Sequence, residues 1–165
     1  TREARMYAIA IDRLRTAGFE QYEISNWAKP GFRSRHNAIY WANEPYLGLG
    51  VGAASYLEGV RSTHTRDLES YDAAALAGGP IPGESERLQG AAQAGEAIML
   101  ALRTAEGVDL ERFRERYGLD VEERYRKVVD DLVSAGVLAG DGARLYLTER
   151  GRFVANDVCG AFLAD

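Results

Sequence analysis

A single cysteine, Cys159, stands in the 165 residues. That excludes an intrachain disulfide framework and an all-cysteine metal site, and a reducing cytoplasm is the expected compartment. The opening TREARMYAIAIDRLRTAG is charged throughout. It is neither a signal peptide nor an apolar run long enough to cross a bilayer. Positive charge is short as well: 20 Lys and Arg face 25 Asp and Glu, a net charge of −5. This balance works against a sequence-independent grip on phosphate backbones, so no nucleic-acid partner is expected. There is no internal repeat, no low-complexity tract and no G-x-G-x-x-G between a strand and a helix. What the chain does have is a 46% hydrophobic content, enough for a packed core.

Two halves with different patterning are expected, in the α+β class. In residues 1–77, Met6, Ala10, Leu14 and Ala17 fall on one helical face, and Gly18 is a stop signal. FEQYEIS alternates as a strand, so helix and strand together read as half of an α/β unit whose parallel neighbours lie in a longer chain. Residues 26–45 read as irregular. YLGLGVGAASYLEGVRSTHTRD has strand character with a hairpin turn at Glu58–Gly59, and Asp67 caps a short helix. GGPIPGES, within residues 78–85, reads as a linker. In residues 86–165, helices over 86–104, 109–117 and 122–135 precede a hairpin around Gly140–Asp141–Gly142 and a last helix capped by Thr148. Their expected buried residues include Leu88, Ala92, Ile98, Leu102, Tyr125, Val128, Leu132, Val133, Val154, Val158 and Phe162. This order suggests a winged-helix module.

Three stretches carry residues suited to chemistry. Gly48, Gly50 and Gly52 alternate, so in a strand they would clear one face for a ligand or for a packed element. His36 is followed by Asn37, Tyr40 and Trp41. A lone histidine commonly satisfies a loop, but an imidazole beside flat aromatic surface also suits an iron porphyrin, with Arg33 and Arg35 near enough in sequence to meet propionates. Glu23, Ser25 and Asn26 close the first strand, either as an active-site rim or as an edge strand entering a loop. His64 reads as a solvated hairpin residue and Cys159 as a small buried apolar one.

The motifs YEISNWA (Tyr22–Ala28), RHNAIYW (Arg35–Trp41) and YLGLGVGA (Tyr46–Ala53) occur with Arg61, Leu68 and Tyr71. Leu102–Arg103 with Gly107 and Leu147–Thr148 with Gly151 follow. Together they resemble the oxygen-independent coproporphyrinogen-III-oxidase-like family, and within it the HemW-type haem-chaperone branch of the radical-SAM superfamily. The resemblance implies an incomplete (β/α) barrel followed by a winged-helix-like domain. It also implies a [4Fe–4S] cluster and S-adenosylmethionine in a longer parent, held by a C-x-x-x-C-x-x-C loop that this chain lacks. The chain would be the C-terminal part and by itself would neither hold the cluster nor cleave the cofactor. The same resemblance assigns haem or porphyrin to His36, Asn37, Tyr40 and Trp41, with His36 as the iron ligand. It sets Gly48, Gly50 and Gly52 near the S-adenosylmethionine pocket. A haem-acceptor protein is the implied partner, and self-association is the expected way for an isolated barrel end to cover its apolar surface. Ala54 and His64 depart from the family pattern, which often has His and Asn there. Decarboxylation of coproporphyrinogen III is the second activity within the family, and a DNA-binding or interaction module the reading from another class. The third tail helix mixes Glu122, Glu123, Asp130 and Asp131 with its basic residues, which suits DNA poorly.

Overall fold

The computed structural model describes residues 1–163. Helix α1 (Arg2–Thr16) ends at Ala17, and Gly18 turns the chain with a φ of 81°. Tyr7, Ala10 and Leu14 are half-buried on this helix, while Met6 is 60% exposed, so the packed face is rotated from the expected one. Strand β1 (Glu20–Glu23) pairs antiparallel with β2 (Asn26–Ala28), with an irregularity between Gln21 and Glu23. Thus β1 has an antiparallel neighbour within this chain, because Ile24 and Ser25 turn it straight back. Helix α2 (Arg35–Trp41) lies in the stretch expected to be irregular. Its start is set by Ser34, whose Oγ accepts from the Asn37 amide at 3.2 Å.

Residues 43–89 form a compact unit of their own. Strands β3 (Ala54–Leu57) and β4 (Val60–His64) make the expected hairpin, with Glu58 and Gly59 both at positive φ. Asp67 caps α3 (Leu68–Leu76) by accepting from the Ser70 amide at 2.8 Å. Strand β5 (Gly83–Arg87) then pairs along β4 to give an antiparallel sheet of order β3-β4-β5. Part of the expected linker is therefore strand. Composition marked Pro80, Pro82 and Gly83 as breakers, but the open edge of β4 supplies the partner that makes residues 83–87 extended.

The other unit joins Thr1–Ala42 to the chain from Gly90 onward. It contains α4 (Gly90–Leu102), β6 (Val108–Asp109), α5 (Leu110–Tyr117), α6 (Val121–Arg124) and α7 (Arg126–Ser134). After these come β7 (Leu138–Gly140), β8 (Arg144–Leu147), α8 (Glu149–Arg152) and α9 (Ala155–Gly160). The small sheet has the order β6-β8-β7, all antiparallel. Ile98, Leu102, Val108, Val121, Leu138 and Val158 are almost fully enclosed and anchor one continuous core.

The helix expected over 86–104 begins only at Gly90, and Ala92 is exposed. The helix expected over 122–135 is interrupted at Tyr125. Its ring is buried against Phe162, and its hydroxyl donates to the Ala91 carbonyl at 3.4 Å. That break re-aims the following residues, burying Val129 and leaving Val133 45% exposed. The last helix breaks at Phe153–Val154, so Val154 is exposed too. Two backbone bonds explain why residues 1–42 belong with the tail: the Ile24 amide donates to Arg103 and the Ala105 amide to Tyr22, both at 3.0 Å.

Candidate functional site

Glu23 is the deepest charged residue, 1% exposed at the end of β1. Its Oε1 accepts from Arg103 Nε at 3.1 Å and Nη2 at 2.8 Å. Its Oε2 accepts from the Ser25 amide at 2.8 Å and Asn26 Nδ2 at 2.5 Å. Four donors on one carboxylate satisfy a charge that burial alone would expel. The Tyr7 hydroxyl donates to the Ile24 carbonyl at 2.8 Å, which ties α1 to the same turn. Glu23, Ser25 and Asn26 thus form a folded hub around Arg103.

Arg103 also reaches α2. Its guanidinium carbon lies 4.9 Å from the centre of the Trp41 ring, a cation–π contact. Helical spacing puts Asn37 and Trp41 on one side of α2 and His36, Ile39 and Tyr40 on another. On that second side His36 is exposed, Ile39 is 38% exposed and Tyr40 is half-buried. The Tyr40 hydroxyl and His36 Nε2 are 3.0 Å apart, and the two rings meet edge to face with an interplanar angle of 89°. The four motif residues therefore do not line one wall. Trp41 is held from beneath by Arg103, while His36 and Tyr40 face outward as a hydrogen-bonded pair.

Of the two arginines, Arg33 donates to Glu106 at 2.8 Å and lies 3.7 Å from Glu20, leaving the exposed Arg35 for an anion. Phe32, two residues before the cap of α2, is 80% exposed.

The glycine segment is a turn, not a strand. Gly50 has a φ of 110° and Gly52 of 66°, so the three glycines share no sheet face. What approaches Gly48 is the Ala54 carbonyl, which a Cβ at that position would overlap. His64 holds this turn. Its Nδ1–H donates to the Gly50 carbonyl at 3.0 Å, its amide donates to Ala53 at 2.9 Å, and its ring leans on Tyr71. It is a half-buried residue at the end of β4 where the sequence suggested a solvated one. Leu47, Leu49 and Val51 between the glycines are exposed.

The tail motifs are also structural. A Cβ at Gly107 would overlap the Leu145 carbonyl, and one at Gly151 the Val137 carbonyl. Thr148 Oγ1 accepts from the Gly151 amide at 3.0 Å. Cys159 is buried in the core, and burial pushes its thiol up to about 11, against a smaller opposing pull from Arg103. Among the described residues no three His, Cys, Asp or Glu side chains gather as a metal site. The residues of this chain do not fit a [4Fe–4S] cluster.

Sequence reasoning missed Arg103 as a site residue. The available signals were the Leu102–Arg103 motif and Glu23 beside the strand residues Tyr22 and Ile24, where a carboxylate demands a cation if it is buried. Nothing local showed that the cation lies 80 residues on.

The architecture and motifs define a class, and comparison with known proteins agrees with it. Residues 88–154 match the model of the HemN C-terminal domain. The heme chaperone HemW of Bacillus subtilis is 37% identical over 99% of this chain, and that of Lactococcus lactis is 35% identical over 99%. Among solved structures, Escherichia coli coproporphyrinogen III oxidase (HemN), described as a radical SAM enzyme, superposes with a TM-score of 0.72. It covers 94% of this chain and 39% of that one at 16% identity, a likeness of fold alone. Along almost its whole length the chain is similar to HemW-type haem chaperones, and its residues 88–154 match the HemN C-terminal domain. It spans 43% of the length of the two HemW relatives.

Proposed function

We propose that this chain is the C-terminal portion of a radical-SAM haem chaperone and that it presents haem, as cargo, with the outer face of α2. The observation that carries this reading is the His36–Tyr40 pair, two groups able to ligate iron, 3.0 Å apart on the exposed face of a helix anchored from behind. The surroundings suit an iron porphyrin. Ile39 offers aliphatic surface on the same face, and Arg35 offers a cation for a propionate. The names of the HemW relatives support haem over a porphyrinogen substrate, whereas the likeness to the oxidase is one of fold.

In this reading α1 and β1 are the end of an incomplete barrel. The succession from α4 to α9, with β7–β8 as the wing, is a winged-helix-like domain that works as a structural or protein-contacting element. The cluster and S-adenosylmethionine belong to the rest of the parent, and a haem-acceptor protein is the partner. The [4Fe–4S] group would supply reductive cleavage there, through residues other than these. The work left to this chain is to hold α2 rigidly, through Glu23, Arg103 and Trp41, with the His36–Tyr40 pair on its outer side.

Titration of the chain with haem tests this. The double variant His36→Ala/Tyr40→Phe should shift the Soret band and weaken binding. A double variant with the wild-type spectrum and affinity would remove α2 from the role.

A further inference from the structure

We propose that the outer edge of β5 is a docking site for an extended, basic segment of another protein, which adds to the β3-β4-β5 sheet as a further strand. This is independent of the haem reading and concerns the other unit, residues 43–89.

The two outer strands of that sheet differ. Along β3, Tyr46 and Tyr56 exchange both backbone bonds at 2.9 Å, so that side is partly covered. Along β5 every residue is exposed, and among the described residues no strand pairs with its far side. The register shows which groups are open. The Thr65 amide donates to the Pro82 carbonyl at 2.7 Å, while Thr63 stands opposite Glu84 and Arg61 opposite Glu86. Backbone direction alternates along a strand. Residues 82, 84 and 86 therefore face β4, and Ser85 and Arg87 turn their amide and carbonyl groups outward. An open ladder of this kind is a template for strand addition.

Side chains select what binds. Glu84 and Glu86 project from one face of the sheet at this edge, two residues apart. Arg61 Nη1 donates to Glu86 at 3.2 Å, and Arg87 Nη1 is already engaged by the Glu58 carbonyl at 2.8 Å. The edge is thus acidic. A second copy of this chain does not fit it. Antiparallel pairing of two β5 edges sets outward-turned residues opposite outward-turned ones, so glutamate positions meet glutamate positions. Centred on Ser85, it places Glu84 of each copy against Glu86 of the other, and like charges directly opposite destabilise a pair. A segment with Lys or Arg at alternate positions fits instead. Its two cations fall opposite Glu84 and Glu86 on the same face, at the closely spaced positions that exchange no backbone bonds.

The test uses the chain in solution with two synthetic peptides, Thr-Lys-Thr-Lys-Thr-Val and its counterpart with Glu for Lys, followed by amide hydrogen exchange. The lysine peptide should slow exchange at the Ser85 and Arg87 amides, and the glutamate peptide should not. Glu84→Gln/Glu86→Gln should weaken binding of the lysine peptide by about 2- to 30-fold, the worth of two cross-strand charge pairs. Ser85→Pro should abolish it, since proline is tolerated where the lost N–H faces solvent. Should that variant disturb the β3–β4 amides, the glutamine variant decides. Equal affinity for the two peptides, binding of neither, or unchanged affinity in the variants would overturn the proposal. Protection of the Ser85 and Arg87 amides without peptide would also overturn it. Protection that grows with protein concentration would assign the edge to a second copy, and protection found only in the longer parent would assign it to the parent's own chain.

Discussion

Glu23 and Arg103, 80 residues apart, form a two-pronged ion pair in which one carboxylate oxygen accepts both Nε and Nη2 of the guanidinium. The Glu23 side chain is fully enclosed, and that of Arg103 is 26% exposed. Removing the cation should therefore cost much more than an exposed pair would. Arg103→Met is expected to destabilise the protein by about 3–5 kcal/mol in urea unfolding, because it strands a buried charge. Adding Glu23→Gln should recover part of that loss. A loss below about 1 kcal/mol, the level of exposed pairs, would show that the pair is not what holds the turn.

Gly151 lies where a side chain has no room. Gly151→Ala would drive a methyl group into the Val137 carbonyl, which also accepts from the Thr148 amide. The expected cost is about 1–3 kcal/mol, the range for overpacking a closed core. Equilibrium unfolding measures it, and an unchanged midpoint would refute the close approach.

Cys159 should be silent toward thiol reagents in the native protein and reactive once it unfolds, because the thiolate is the nucleophile and burial opposes its formation. The sign of the pH effect follows. The folded thiol titrates at about 11 against an ordinary value of 9.0, so the unfolded chain loses its proton first. The stability associated with this group is fully present below pH 9.0 and declines as pH rises toward about 11. Rapid native labelling at pH 8 would contradict the burial.

The β3–β4 turn contains an avoidable strain. Glu58 adopts a φ of 50° in a two-residue turn whose other residue is Gly59. Asparagine tolerates that conformation better, so Glu58→Asn should stabilise residues 43–89 by about 0.5–1 kcal/mol. The bond from Arg87 Nη1 to the Glu58 carbonyl at 2.8 Å uses backbone and should persist. Hydrogen exchange of the β3–β4 amides checks this, with faster exchange as the contrary result.

The elements legible beforehand were those whose signals are local. Gly18, Gly118 and Gly136 end helices at positive φ, and Asp67 and Thr148 cap them. Ile98, Leu102 and Val158 are buried as their helical spacing requires. His36 and Tyr40 were legible only as members of one short motif; their pairing was not, because residues 35–41 read as irregular and form a helix that brings positions four apart together. The resemblance to HemW-type proteins was legible too, because its motifs are short runs of contiguous residues.

Tertiary structure decided what depends on a distant partner. Residues 83–87 are a strand because β4 has an open edge, although Gly83 and the preceding Pro80 and Pro82 advertised a linker. Gly48, Gly50 and Gly52 alternate as strand residues would, yet His64 and Thr65 hold them as a turn. Trp41 was grouped with His36 by sequence, but once residues 35–41 are helical their spacing puts the two on different sides of α2, and Arg103 packs against the indole there. Local pattern determines which conformations a segment can adopt. Which one it does adopt is set by the charge, carbonyl or strand edge that packing delivers from elsewhere in the chain, and a buried carboxylate such as Glu23 is stable only once that partner arrives.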